Sequence, residues 1–212
     1  MQVAVAYHDT VMSGIKRYAL ELVKAYGTLG HEAREVPIRG TELTVLGRKV
    51  GGIITYRGKR FLTRPRAKVV HSASHHAYVR TANVASVHDL ILLKHADLFG
   101  MNAQQRRFEE KDLRRALALP LVMVDTAHVK RDIVERFGTD PGKIQVAHLG
   151  IDAGKFHPDA ERPALLEKDR VNLLILGDLN PRKRVDLLIE AVAALDDPRL
   201  RIVHVGAWHG VQ

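Results

Sequence analysis

The chain has 212 residues, 46% hydrophobic and 27% charged, a globular balance that suits one large domain or two small ones. Its 33 Lys and Arg against 24 Asp and Glu leave a formal net charge of +9, which favours anionic partners (nucleotide phosphates, nucleic acid, an acidic membrane surface) without choosing among them. Cys is absent, which excludes disulfides and thiolate metal sites and fits a reducing, cytoplasmic compartment.

Met1 to Tyr7 lacks the basic start and long apolar core of a signal peptide and reads as a first strand, Val3–Ala6. No apolar run reaches the length of a membrane-spanning helix, so only peripheral contact with an anionic membrane stays open. A helix is expected from Ser13. Ser13 suits an N-cap and Gly14 allows close backbone approach, so this helix start reads either as an ordinary capped end or as an anion site. The spacing lacks the G-x-G-x-x-G of a dinucleotide fold, which disfavours a redox Rossmann enzyme.

Strands are then expected at Ala33–Pro37, Gly52–Tyr56, Val69–His71 and Val84–Val87. The run from Arg57 to Lys68 has six cations and no acids; it reads as an exposed loop or as a surface for anionic lipid. His75 and His76 are adjacent, so in regular structure they point apart. No Cys accompanies them, and no metal is expected. His88 and Asp89 follow the strand Val84–Val87, where they read either as a structural pair or as groups for substrate hydroxyls or proton handling.

A helix from Asn102 carries Glu110 and Arg114 at i,i+4 and reads as a solvated, salt-bridged face. The strand Leu121–Val124 leads to a helix near Ala127, capped by Asp125 or Thr126. Lys130 and Arg131 lie one turn in, facing a cleft or solvent. After the strand Ile144–His148 comes a linker, 153–170, rich in Pro, Gly and charge, with a short helix around Pro163–Lys168. The strand Leu173–Leu176, a helix from Val185 and the strand Ile202–Val205 make one β-α-β unit. Arg182, Lys183 and Arg184 sit at its strand-to-helix junction, either a solvated basic turn or a phosphate site.

The alternation predicts an α/β fold: a Rossmann-like doubly wound parallel sheet in 1–152, then an incomplete second Rossmann-like domain from 171 to 212. About forty residues cannot close such a domain alone. Its open sheet edge invites pairing, so a homo-oligomer through the C-terminal sheet is one expectation.

Four segments in order resemble the retaining glycosyltransferases of the GT-B fold, family GT4 (glycosyl transferases group 1). Ser13-Gly-Ile-Lys-Arg-Tyr-Ala-Leu-Glu-Leu22 is similar to the family's glycine loop and first helix. Val87-His-Asp-Leu90 is similar to its acceptor-side histidine segment. Thr126 to Phe137, with Lys143 to Asp152 and Phe156, is similar to the approach to its hinge. Leu176-Gly-Asp-Leu-Asn-Pro-Arg-Lys-Arg-Val-Asp-Leu-Leu-Ile-Glu-Ala191 is similar to the opening of its donor-binding domain. The resemblance implies transfer of a sugar from a nucleotide-sugar donor to a sugar, lipid or protein acceptor, with retention of configuration and no metal or other cofactor. It implies that Arg182 and Lys183 hold the donor diphosphate with Ser13 and Gly14, and that His88 contacts the transferred sugar or lies near the acceptor, oriented by Asp89. Lys130 and Arg131 would contact acceptor or cleft.

Two departures stand out: Asp178 occupies a position where many members have Arg, and the family's Glu-x7-Glu segment lies beyond Gln212. The chain is therefore expected to be truncated before it, with little or no transfer activity alone. The alternative is a non-catalytic module whose basic surface binds nucleic acid or anionic membrane. Nucleic acid is disfavoured, because aromatics are 5% and do not interleave with the basic run.

Overall fold

The computed structural model describes residues 1–9, 13–40, 43–45, 48–50, 52–179 and 183–206, with backbone alone for 43–45, 48–50 and 52–55. In chain order the elements are β1 (Gln2–His8), α1 (Gly14–Thr28), β2 (Glu32–Ile38), β3 (Leu43–Val45), β4 (Arg48–Val50), α2 (Gly52–Leu62), β5 (Val69–Ser72) and β6 (Val84–Val87). There follow α3 (Ile91–Lys94), α4 (Ala103–Leu117), β7 (Leu121–Val124), α5 (Ala127–Phe137), β8 (Ile144–Val146), β9 (Val171–Leu176), α6 (Val185–Leu195) and β10 (Leu200–Val205). Residues 1–149 and 150–212 form two separate units.

The first unit is built on a six-stranded parallel sheet in the order β2-β1-β5-β6-β7-β8. Side chains alternate between its faces. Val3, Val5 and Tyr7 of β1 meet α1 through Ala19, with Tyr18, Val23 and Tyr26 packed against them. Ala4 and Ala6 join the larger cluster on the other face, with Val70, Ala85, Val87, Val122 and Val124 from the neighbouring strands. There Tyr56 of α2 and Leu113, Ala116 and Leu117 of α4 cover them. The predicted doubly wound parallel sheet is thus the observed one. β2 is an edge strand, and Pro37 with charged Glu32, Arg34 and Glu35 suits that place.

Helix starts follow their caps. Ser13 Oγ accepts from Lys16 N at 3.2 Å to start α1, and Asn102 with Gln105 forms a reciprocal capping box on α4. Thr126 Oγ1, and not Asp125, caps α5 by accepting from Val129 N at 3.2 Å. Thr126→Ala is expected to cost about 1 kcal/mol, measured by urea unfolding; an unchanged midpoint would show that water caps this end equally well.

Three sequence expectations are corrected. Residues 52–56 are helical, not a strand: Tyr56 and Arg60, four residues apart on α2, both donate to the His76 carbonyl, at 2.6 and 2.8 Å. The basic run is no uniform surface loop. Its first part is α2, Arg60 is buried against Asp112, and Arg57 lies over the Phe108 ring at 4.1 Å. The stretch around Pro163–Lys168 is turns, closed by Leu166 N donating to Pro163 O at 2.9 Å, without a helix.

In the second unit β9 and β10 pair in parallel, with α6 between them in sequence. The strands end on Gly177 and Gly206. Gly177 has φ +98, and a Cβ at 206 would lie 2.2 Å from the Gly177 carbonyl oxygen, so two backbones meet here where no side chain fits. Leu174, Leu176, Leu187, Ile189 and Leu195 remain exposed, as expected of a sheet and helix with few neighbours in their own unit.

Candidate functional site

In open parallel sheets, ligands bind beyond the carboxyl ends of the strands. Val87 pairs with Val124, so the residues that follow, His88 and Asp125, leave β6 and β7 side by side. His88 Nδ1 lies 2.9 Å from Asp125 Oδ2, and Nε2 lies 2.9 Å from the Ala73 carbonyl oxygen. Both partners are acceptors. The charged ring donates to both, whereas the neutral ring satisfies only one. Tyr18, in the second turn of α1, sets its ring edge-on to His88 with centroids 4.8 Å apart. The start of α1 and His88 therefore occupy the same end of the sheet.

Below His88, toward the middle of the α1-facing sheet surface, lies a buried polar chain. Tyr26 Oη is 3.2 Å from His71 Nδ1, His71 Nε2 is 2.8 Å from Ser86 Oγ, and Ser86 Oγ is 2.8 Å from Tyr18 Oη. Burial, with the nearby His88 charge, pushes His71 down to about 4. Burial also pushes the Tyr18 and Tyr26 phenols up. A neutral, hydrogen-bonded His71 thus ties α1 to the sheet directly beneath His88.

Ser13 and Gly14 stand at the exposed start of α1. A Cβ at Gly14 would meet nothing within 4 Å among the described residues. Asp9, at the end of β1, accepts from Lys16 Nζ at 2.6 Å and from Arg39 Nε; these two hydrogen bonds hold its carboxyl below the usual range.

The other predicted site residues are placed as follows. Asp89 is exposed, and its carboxylate accepts from Ile91 N at 3.0 Å, within the turn into α3. It does not orient His88; Asp125 does. Asp125 was read only as a cap, yet the sequence held a signal for it: Val-His-Asp and Val-Asp-Thr end neighbouring strands at matching positions. Lys130 donates to the Ile144 carbonyl at 2.7 Å, bracing α5 to β8, and Arg131 is exposed. Lys183 is exposed; Arg182 lies outside the described residues. Arg184, at φ +48, pairs with Asp186 at 3.2 Å.

At this same end of the sheet, in the turn after β5, His75 and His76 do not point apart as expected. Their ring centroids are 3.9 Å apart, and both face Glu109 of α4. The face of α4 read as wholly solvated does carry the Glu110–Arg114 pair at 2.6 Å, but Asp112 and Glu109 turn inward.

No protein-family model matches the chain. It is 37% identical over 86 residues to a D-inositol 3-phosphate glycosyltransferase of Geodermatophilus obscurus, covering 38% of this chain and 19% of that protein. It is 30% identical over 125 residues to the protein of the same name from Actinosynnema mirum, covering 56% and 30%. The Mycolicibacterium vanbaalenii protein of that name is 29% identical over 124 residues, covering 56% and 28%. The matched part of the chain thus spans between a fifth and a third of these relatives. The crystal structure of WaaG, a glycosyltransferase involved in lipopolysaccharide biosynthesis, superposes with a TM-score of 0.67 at 16% identity, over 98% of this chain and 64% of WaaG. Among the described residues, no helix is long and apolar enough to cross a membrane. The chain is therefore similar, over part of its length, to proteins named D-inositol 3-phosphate glycosyltransferase, and its parallel-sheet unit has the Rossmann-like fold of a GT-B glycosyltransferase domain.

Proposed function

We propose that the chain is the acceptor-side domain and the opening of the donor-binding domain of a glycosyltransferase. It would move a sugar from a nucleotide-sugar donor to an acceptor hydroxyl with retention of configuration. The observation that carries this reading is the pairing of His88, held between Asp125 and the Ala73 carbonyl, with the start of α1 at one end of the sheet. The named relatives support the reaction class. Their name also points to a phosphorylated polyol as the acceptor class.

The main electrostatic task of such a transfer is to stabilise charge on the departing diphosphate. In this reading Arg182 and Lys183 meet that charge on the donor side. Ser13 and Gly14 offer helix amides on the acceptor side. Cations and amides take the part a metal would otherwise play. His88 contributes a ring fixed at both nitrogens, by Asp125 and the Ala73 carbonyl, which positions what binds beside it.

Titration calorimetry with UDP, GDP and their sugar conjugates tests the reading. Saturable binding is expected, weakened at least about tenfold by Arg182→Ala/Lys183→Ala, as loss of two charge-assisted contacts implies. No binding by a folded chain, or binding unchanged in the double variant, would remove the donor role from that loop.

A further inference from the structure

His75 and His76 lie in a single 3-10 turn (His75–Ala77) after β5, and Glu109 reaches them from α4. His75 Nε2 is 2.7 Å from Glu109 Oε1, and His76 Nδ1 is 3.5 Å from Glu109 Oε2. One ligand atom from each residue falls in a cluster no wider than 4.8 Å. A tetrahedral cation with arms of roughly 2.0–2.1 Å needs donor atoms separated by ~3.3 Å, which falls within this spread.

A plain histidine–carboxylate hydrogen bond accounts for the 2.7 Å contact and nothing else. It does not explain why a second imidazole faces the same carboxylate at 3.5 Å, too far for a good hydrogen bond. The two rings lie with centroids 3.9 Å apart, tilted by 39°. We propose that His75, His76 and Glu109 form a three-ligand site for a borderline divalent cation of the Zn2+ kind, built where the turn after β5 meets α4.

The donor chemistry selects the ion. Two imidazoles and one carboxylate suit Zn2+, Co2+ or Ni2+, whereas Mg2+ and Ca2+ prefer oxygen alone. About a third of the His76 side chain remains accessible, which gives an ion a route in and leaves a fourth position for water. The bound ion would pin this turn to α4, beside the carbonyl of His76 that Tyr56 and Arg60 also hold.

The test uses the full chain stripped with chelator and titrated with ZnCl2 by calorimetry, and with CoCl2 by visible absorption. One equivalent is expected to bind, with a tetrahedral Co2+ band and a Tm raised by roughly 5–10 °C at a hundredfold excess of free Zn2+ over Kd. His76→Gln and Glu109→Gln should each weaken binding at least about tenfold, with chelator-treated melts checking that each variant folds. Imidazole nitrogen NMR shifts of His75 and His76 on Zn2+ addition locate the ion in the wild-type protein, independently of any variant. Absence of saturable binding overturns the site, as does binding that leaves both sets of resonances unmoved.

Discussion

Asp112→Ala is expected to destabilise the protein by about 3–5 kcal/mol, the range for breaking one side of a buried ion pair. Arg60 and Asp112 form a two-pronged pair, Nη2 to Oδ1 at 2.7 Å and Nη1 to Oδ2 at 2.9 Å. Arg60 is 1% exposed at its side chain and Asp112 is 9% exposed. Arg60 Nη1 also donates to the His76 carbonyl, and the guanidinium packs 5.2 Å from the Phe61 centroid. Removing the carboxylate strands a guanidinium among apolar groups, with a carbonyl and two rings left to receive it among the described residues. The pair itself need not add much net stability, because both charges were taken out of water to form it. Arg60→Met/Asp112→Leu is therefore expected to recover most of the loss. Urea unfolding at pH 7 of the wild type, the single variant and the double variant measures both quantities. A single-variant cost under about 1 kcal/mol would mean that Arg60 swings out to water and that the pair does not lock α2 to α4.

Stability is also expected to fall as pH drops from about 6.5 to 4, with His71 contributing on the order of 3 kcal/mol. Folded His71 stays neutral down to about pH 4, mainly because burial penalises its charge. In the unfolded chain it takes up a proton near 6.5. Between those values the unfolded state binds more protons, so acid favours unfolding; below 4 this group adds no further slope. Asp9 and Asp112 have depressed carboxyls, so their contribution is present above the ordinary carboxylate pKa and is lost only as pH falls below it. The window from 6.5 to 4 thus belongs to the histidines, with His76 titrating beside His71. His71→Gln keeps a polar group facing Ser86 and removes one titration. The drop in unfolding free energy between pH 7 and pH 4.5 should be clearly smaller in this variant. An equal drop would show that His71 is protonated and accommodated in the folded state.

The sheet was legible because parallel strands buried on both sides are continuous apolar runs, and Val3–Ala6, Val84–Val87 and Leu121–Val124 stand out against amphipathic neighbours. Helix starts were legible where Ser13, Asn102 and Thr126 supply cap oxygens. The segment Gly52–Tyr56 was misread because Ile-Ile-Thr-Tyr has strand propensity. Its helix is decided by tertiary partners, Tyr56 and Arg60 converging on one carbonyl 20 and 16 residues away. The short hairpin of β3 and β4 carried no pattern strong enough to mark it.

For the candidate site, the place of His88 at a strand's carboxyl end was readable from the sequence. Its partner was misassigned because sequence neighbours suggest Asp89, whereas pairing in register delivers Asp125 from the next strand. The inward turn of Glu109 and Asp112 was hidden for the same reason. An acidic residue on a charge-rich helix looks solvated until the histidine or arginine facing it is known.

The strand order has a consequence for how the chain is made. β1 leaves the ribosome before its sheet partners and lies inside the finished sheet, between β2 and β5. Its partner Glu32–Ile38 follows soon after, joined through α1, but Val69–Ser72 is translated some sixty residues later. Until then the apolar Val3–Tyr7 segment has one unpaired flank. The distant closure makes the β1–β5 seam a late, slow step, and the nascent chain is most open to misassociation in the interval before it forms.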